Sequence, residues 1–127
     1  MTSRVLFVDD EGIVLKSLNR ALSTTYDITT AYSAEEALRL LSEQKFAVVV
    51  TDMRMPGGDG MWLIRQAGEM SPNTSFIVLT GNCDDATRDT AMASGKVFSF
   101  LNKPCPIDLL EEQIDKAIEA RLAVHRV

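Results

Sequence analysis

The sequence is poor in the residues that cross-link or staple a small fold: among 127 residues there are two cysteines, Cys83 and Cys105, and a single histidine, His125. Two thiols in a chain of ordinary core composition make neither a disulfide framework nor a zinc-ligand spacing, and both read as reduced. Positive charge is also short. Eighteen Asp and Glu against 13 Lys and Arg leave a net charge of −5, which argues against nucleic-acid binding by this domain itself and favours a cation as partner. No apolar run approaches the ~20 residues of a membrane span, and Met1-Thr2-Ser3-Arg4 leads straight into a strand without a secretory leader. The expectation is a cytoplasmic protein with no membrane partner. Repeats and low-complexity tracts are missing, and the length suits one domain over 1–127 with one sizeable core.

What is present is organised around Phe46-Ala47-Val48-Val49-Val50-Thr51-Asp52-Met53-Arg54-Met55-Pro56-Gly57-Gly58-Asp59-Gly60. An uninterrupted Ala/Val run reads as a strand buried on both faces, the habit of a central strand in a helix-covered parallel sheet. It ends on the carboxylate of Asp52 and breaks into a Pro/Gly loop, which turns the chain and leaves the carboxylate accessible.

In chain order, Arg4 to Val8 is a strand ending on Asp9-Asp10-Glu11, followed by a helix with Val14, Leu18 and Leu22 on one side. Tyr26 to Ala31 is a second strand, and Ser33-Ala34-Glu35-Glu36 is a capping box opening a helix to about Glu43 or Gln44. Beyond the central strand Asp59 caps a helix carrying Ile64 and Ala67. Ser75 to Leu79 is a fourth strand ending at Thr80. A weakly apolar helix spans Asp84 to Ala93 with Ala86, Thr90 and Ala93 as its inner stripe, and Val97 to Leu101 is a fifth strand before Lys103-Pro104-Cys105-Pro106. The last helix starts near Pro106 and shows Leu110, Ile114, Ala117 or Ile118, and Leu122 on one side. Five β-α units in alternation predict an α/β fold, a single doubly wound five-stranded parallel sheet with helices on both faces; if its order is the flavodoxin-like 2-1-3-4-5, the second strand is at the edge and the four strands that contribute polar residues are contiguous.

Ligands of such sheets bind at the carboxyl edge of the strands. There the sequence puts Asp9 and Asp10 after the first strand, Asp52 after the third, Thr80 after the fourth and Lys103 after the fifth. Clustered carboxylates call for a hard divalent cation, so Asp9 and Asp10 are candidate Mg²⁺ ligands, with Asp52 giving one oxygen to the metal and presenting the other as a nucleophile. Thr80 and Lys103 would then neutralise a transferring phosphoryl group. Taken singly, each residue has a plainer role: Asp9 and Asp10 as helix caps, Asp52 as a turn carboxylate, Thr80 as a turn or cap, Lys103 as a solvated end. Four independent coincidences along one sheet edge are harder to sustain than one shared site.

Asp9-Asp10, Asp52 with Met55-Pro56 and Gly60, Thr80-Gly81 and Lys103-Pro104 together resemble the response-regulator receiver domain of two-component signalling, over essentially the whole chain. The resemblance implies that Asp52 accepts a phosphoryl group from a phosphohistidine on a sensor kinase or phosphotransfer protein. It implies that Asp9, Asp10, Asp52 and the backbone carbonyl of Arg54 hold Mg²⁺, with Mn²⁺ able to substitute, and that Lys103-Pro104 is a cis peptide. Thr80 and Phe100 would be the switch residues, with Phe98 the outer alternative. Strand alternation puts Phe98 and Phe100 on the same side.

Phosphorylation would then remodel the fourth helix, fifth strand and last helix to control an output domain or protein. Arg54 and Asn82 flank the path of water to the acyl phosphate and are expected to tune its lifetime. The segment Val97 to Pro106 also resembles receivers attached to cyclic-dinucleotide phosphodiesterases or other enzymatic outputs. The last helix either leads into a linker of a larger protein or closes a stand-alone receiver, and phosphorylation-dependent dimerisation stays open. No turnover enzyme is expected beyond self-phosphorylation and autodephosphorylation, and His125 is not expected to be catalytic. An aspartate-nucleophile phosphatase would need a D-x-D pair where this chain has Asp9-Asp10-Glu11. A flavin module would need a Ser/Thr/Gly phosphate loop there, and a partner-binding receiver without chemistry would not need all of these residues.

Overall fold

The computed structural model describes residues 2–81 and 84–125, with side chains through Arg121. Ten elements alternate: β1 (Arg4–Val8), α1 (Gly12–Leu22), β2 (Asp27–Ala31), α2 (Ala34–Glu43), β3 (Val48–Thr51), α3 (Gly60–Met70), β4 (Ser75–Thr80), α4 (Asp85–Ala93), β5 (Val97–Asn102) and α5 (Ile107–His125). All pairings are parallel, as the alternation predicts, and the order is the expected β2-β1-β3-β4-β5. Among the described residues no helix is long and apolar enough to cross a membrane.

The central strand behaves as its composition dictates. Val48, Val49 and Val50 are all buried, alternately against the two helical layers, and each is worth roughly 1.5–3 kcal/mol relative to exposure. One layer packs α2, α3 and α4 on Leu6, Val8, Val49, Phe76 and Val78; the other packs α1 and α5 on Val5, Phe7, Val48, Val50, Ile77 and Leu79. The helix starts also form as read. Ser33 Oγ accepts from Glu36 N at 3.1 Å, Glu36 Oε2 reaches back to Tyr32 N at 3.4 Å, and Asp59 Oδ1 accepts from Trp62 N at 2.8 Å.

Several expected positions shift. In α1 the buried stripe is Leu15, Leu18 and Leu22, with Val14 only partly buried. In α5 Leu110, Ile114 and Ala117 are buried and Ile118 packs at the margin; the Leu122 and His125 side chains lie outside the described residues. In α4 the expected stripe of Ala86, Thr90 and Ala93 is exposed, and Ala91 is the buried residue. Asp84, not Asp85, caps this helix by accepting from Thr87 N at 2.8 Å, and small side chains carry too little periodic signal to fix which face turns inward. In β5 the simple alternation fails as well. Val97 pairs with Phe76 and Ser99 with the next residue, Ile77, so Phe98 is the extra residue of a bulge. Val97 and Phe100 therefore share one face, while Phe98 is 37% exposed. Cys105 is a free thiol, and Cys83 lies outside the described residues.

One polar contact ties the ends of the fold together. Tyr26, just before β2, is buried and donates through Oη to Asp115 Oδ1 at 2.6 Å, with the Glu111 carbonyl 3.2 Å away. Burial, then the hydrogen bond to Asp115 and the nearby acidic charges, raise the phenol above its ordinary range. The folded state thus prefers the protonated phenol. Its contribution is fully present below the unfolded phenol value of about 10 and is lost as pH climbs through the higher folded value. Tyr26→Phe should lower stability by about 1–3 kcal/mol at neutral pH, as for a hydrogen bond to a charged acceptor, and should flatten the alkaline loss that the parent protein shows above about pH 10. Urea titrations of both proteins at neutral and alkaline pH measure both effects.

Candidate functional site

Four of the five strands deliver polar residues to one edge. Asp9 follows β1, Asp52 follows β3, Thr80 ends β4, and Lys103 follows β5. The β1 and β3 chain ends are held level by the ladder, which continues from Asp52 N to the Val8 carbonyl at 3.0 Å. Lys103 is placed the same way, its N–H donating to the Thr80 carbonyl at 2.9 Å, and the Lys103-Pro104 peptide is cis.

The side chains converge. Lys103 Nζ donates to Asp9 Oδ2 at 2.7 Å and to Asp52 Oδ2 at 3.1 Å, joining residues 94 and 51 positions apart. Asp9, Asp52 and Thr80 are all buried, at 4%, 7% and 1% exposure, whereas Asp10 faces solvent. One carboxylate oxygen from each of Asp9, Asp10 and Asp52 lies within 4.8 Å of the others. Burial pulls the Lys103 ammonium down, but its hydrogen bonds to Asp9 and Asp52 and their charges outweigh it and hold Lys103 above the ordinary lysine range. The lysine is therefore a cation at neutral pH, set between two anions.

Each carboxylate also spends its second oxygen on the backbone. Asp9 Oδ1 accepts from Glu11 N at 2.9 Å and Asp52 Oδ1 from Arg54 N at 3.3 Å. Asp9 therefore holds the turn between β1 and α1 with one oxygen, while its other oxygen joins the shared site. No side chain caps α1, so Asp10 is not a helix cap. A site of three carboxylates with no nitrogen or sulfur donor suits a hard, oxygen-seeking divalent cation, and the exposed flank at Asp10 is the open side.

The loop after Asp52 is shaped by a contact that the sequence shows only as a turn former. A Cβ on Gly60 would lie 2.5 Å from the Asp52 carbonyl oxygen and 3.0 Å from Met53 Cα, so only glycine lets α3 begin against the back of this loop. Gly60 N closes the loop on the Met53 carbonyl at 2.9 Å. Met53 and Met55 are buried while Arg54 between them is exposed. Arg54, Met55 and Thr87 line a groove of about 560 Å³ between this loop and α4. The Arg54 charge is also felt at Asp84, whose carboxyl is held below the usual range first by its hydrogen bonds with Thr87 and also by Arg54. Phe100 is partly buried and packs on the α2–α3–α4 side of the sheet, opposite Val78. Asn82, the other expected tuning residue, lies outside the described residues.

Comparison with known proteins gives a consistent picture. A sequence profile described as the response regulator receiver domain matches residues 5–115. The transcriptional regulatory protein GlrR of Escherichia coli K12 is 39% identical over 120 residues, covering 92% of this chain and 26% of that protein, so the chain spans about a quarter of that relative's length. A structure described as adenylate cyclase from Rhodopirellula baltica superposes with a TM-score of 0.94 at 38% identity, over 99% of this chain and 94% of that one. A response regulator protein from Burkholderia pseudomallei, solved with a phosphorylated aspartic acid, a calcium ion and citrate, superposes with a TM-score of 0.83 at 25% identity, over 97% of this chain and 72% of that one.

The steric role of Gly60 can be separated from its neighbour's capping role. Gly60→Ala must push the Asp52 carbonyl or α3 aside and should cost about 1–3 kcal/mol, as overpacking does. Asp59→Ala removes only the α3 cap and should cost roughly 1 kcal/mol. Urea midpoints of the two variants should fall in that order.

Proposed function

The chain belongs to the response regulator receiver domain family, and from that membership we propose that Asp52 accepts a phosphoryl group from the phosphohistidine of a sensor histidine kinase or phosphotransfer protein in the cytoplasm. The observation that carries this reading is the Lys103 ammonium held at 2.7 Å and 3.1 Å from Asp9 and Asp52 beside a cluster of three carboxylates. In the transfer the P–N bond to the donor imidazole breaks and a P–O bond to an Asp52 carboxylate oxygen forms, giving an acyl phosphate. Bound Mg²⁺, or Mn²⁺ in its place, held by Asp9, Asp10, Asp52 and the Arg54 carbonyl, supplies neutralisation of the phosphoryl oxygens.

The remaining work falls to the chain itself. The Arg54 N–H, now on Asp52 Oδ1, orients the acceptor carboxylate. Lys103 swings from Asp52 Oδ2 to a phosphoryl oxygen while keeping Asp9 as its anchor, a short move because its ammonium already bridges both. Thr80 donates its hydroxyl to another phosphoryl oxygen from the end of β4. Its displacement frees space into which Phe100 turns, and the surface of α4, β5 and α5 changes. Helix α4 suits this role because it has a single buried residue, Ala91. Arg54 and Asn82 set how fast water reaches the acyl phosphate.

An output domain or protein reads the surface of α4, β5 and α5. The names of the relatives, a transcriptional regulator and an adenylate cyclase, leave the output class to experiment, and a cyclic-dinucleotide output rests on the Val97 to Pro106 resemblance alone.

Mass spectrometry after incubation with acetyl phosphate tests the acceptor. We expect one phosphoryl group per chain, dependent on Mg²⁺ and absent in Asp52→Asn; continuous hydrolysis of phosphate esters instead would indicate a phosphatase. Lys103→Ala should slow labelling on the order of 10²-fold, the cost of losing one charge-stabilising donor. Decay of the adduct should change when Arg54 and Asn82 are both exchanged, and an unaltered lifetime removes their tuning role.

Amide exchange tests the switch. Labelling should alter protection in α4, β5 and α5, and Thr80→Ala should label but leave that pattern largely unchanged. Identical exchange in labelled and unlabelled protein overturns the switch.

A further inference from the structure

At the opposite, amino-terminal rim of the sheet, the α2–β3 and α3–β4 connections enclose a cleft of about 830 Å³. Its walls are mixed, with Phe46 fully buried and Met70 and Pro72 exposed beside neutral polar side chains such as Ser71 and Thr74. Its cations are the guanidinium of Arg121 from α5 and the ammonium of Lys45, among neutral polar side chains that include the amide of Asn73. Glu43, also at this cleft, is already engaged with Arg39 at 3.4 Å.

Arg121 is the anomaly. Its Nε is buried and has no hydrogen-bond partner, and no ion pair to Arg121 exists among the described residues. Guanidinium donors are costly to shield from water without an acceptor, and a buried group left so calls for an explanation. A planar oxyanion is the partner whose shape fits the Nε and Nη fork bidentately. The space is within the range of small-ligand sites, which pair apolar walls with a few placed polar groups.

We infer that this cleft is a binding site for a small amphipathic anion, a carboxylate or phosphate on a compact apolar body, with Arg121 as the anchor and Lys45 as the second cation. Met70 and Pro72 take the apolar body, and Asn73 supplies a neutral hydrogen bond. The site lies at the far end of the strands from Asp52.

The test uses the whole 127-residue chain, ¹⁵N-labelled, titrated separately with benzoate, with phenyl phosphate and with inorganic phosphate, against sodium chloride at matched ionic strength. A saturable shift of the Arg121 Nε–H resonance, with concerted shifts at Lys45, Met70 and Asn73, is the expected result for the aromatic anions. Benzoate and phenyl phosphate distinguish carboxylate from phosphate preference, and inorganic phosphate reports how much the apolar body adds. Arg121→Gln should weaken the fitted affinity roughly tenfold or more, and Arg121→Lys should recover part of it, as expected for loss of the fork with the charge retained. Shifts that chloride reproduces, that do not saturate, or that survive Arg121→Gln in a protein with an otherwise unchanged amide spectrum overturn the site.

Discussion

Like charges do not gather without a reason, and the carboxyl edge of this sheet gathers three carboxylates, two of them on one ammonium. The fold sets that constraint. Parallel pairing brings the ends of β1 and β3 to one level, and the buried valines of β3 fix Asp52 where its charge can be shared with Lys103. The pair is unlike the exposed bridges elsewhere, such as Arg39 with Glu43 or Lys116 with Glu112, which contribute about 0–1 kcal/mol. With side chains only 21%, 5% and 9% exposed, Lys103, Asp9 and Asp52 feel one another with less screening by water. Such an arrangement is tolerable because each carboxylate also has a backbone N–H. It remains a place where charge is more easily exchanged than removed.

The two helical layers hold the sheet unequally. On one side α5 buries Leu110, Ile114 and Ala117 and is tied to the β2 entrance through Tyr26 and Asp115. On the other, α4 is fixed by Ala91 and by its cap. A change at the carboxyl edge therefore meets low resistance at α4 and high resistance at the body of α5. This asymmetry follows from side-chain size, since a helix of Ala, Thr and Asp has little apolar surface to bury.

Much of this was legible in the residues because the signals were continuous. A valine run, a Ser-x-x-Glu box, an Asp before an apolar stripe and a Pro/Gly loop each specify local structure by mechanism, and the alternation of strands and helices then fixes a parallel sheet with one carboxyl edge. Asp9, Asp52, Thr80 and Lys103 meet for that reason. Three features were not legible, for different reasons. The face of α4 is not legible because its apolar residues are three alanines and one methionine, too few and too small to mark a stripe. The bulge at Phe98 leaves no mark in an apolar stretch, where one extra residue looks like alternation. The Tyr26 and Asp115 bond spans 89 positions and depends on how α5 crosses the sheet, which no local window contains.

The bulge also bears on what can add to the β5 margin of the sheet. An outermost strand with an unbroken row of free amides and carbonyls would invite another chain to add on and grow a ribbon. Phe98 throws β5 out of step with a straight partner, so a second strand docking there would find its hydrogen bonds offset by one residue. Contact with other molecules at that margin is thereby steered toward side-chain recognition, which can be made and released, and away from open-ended strand addition, which cannot.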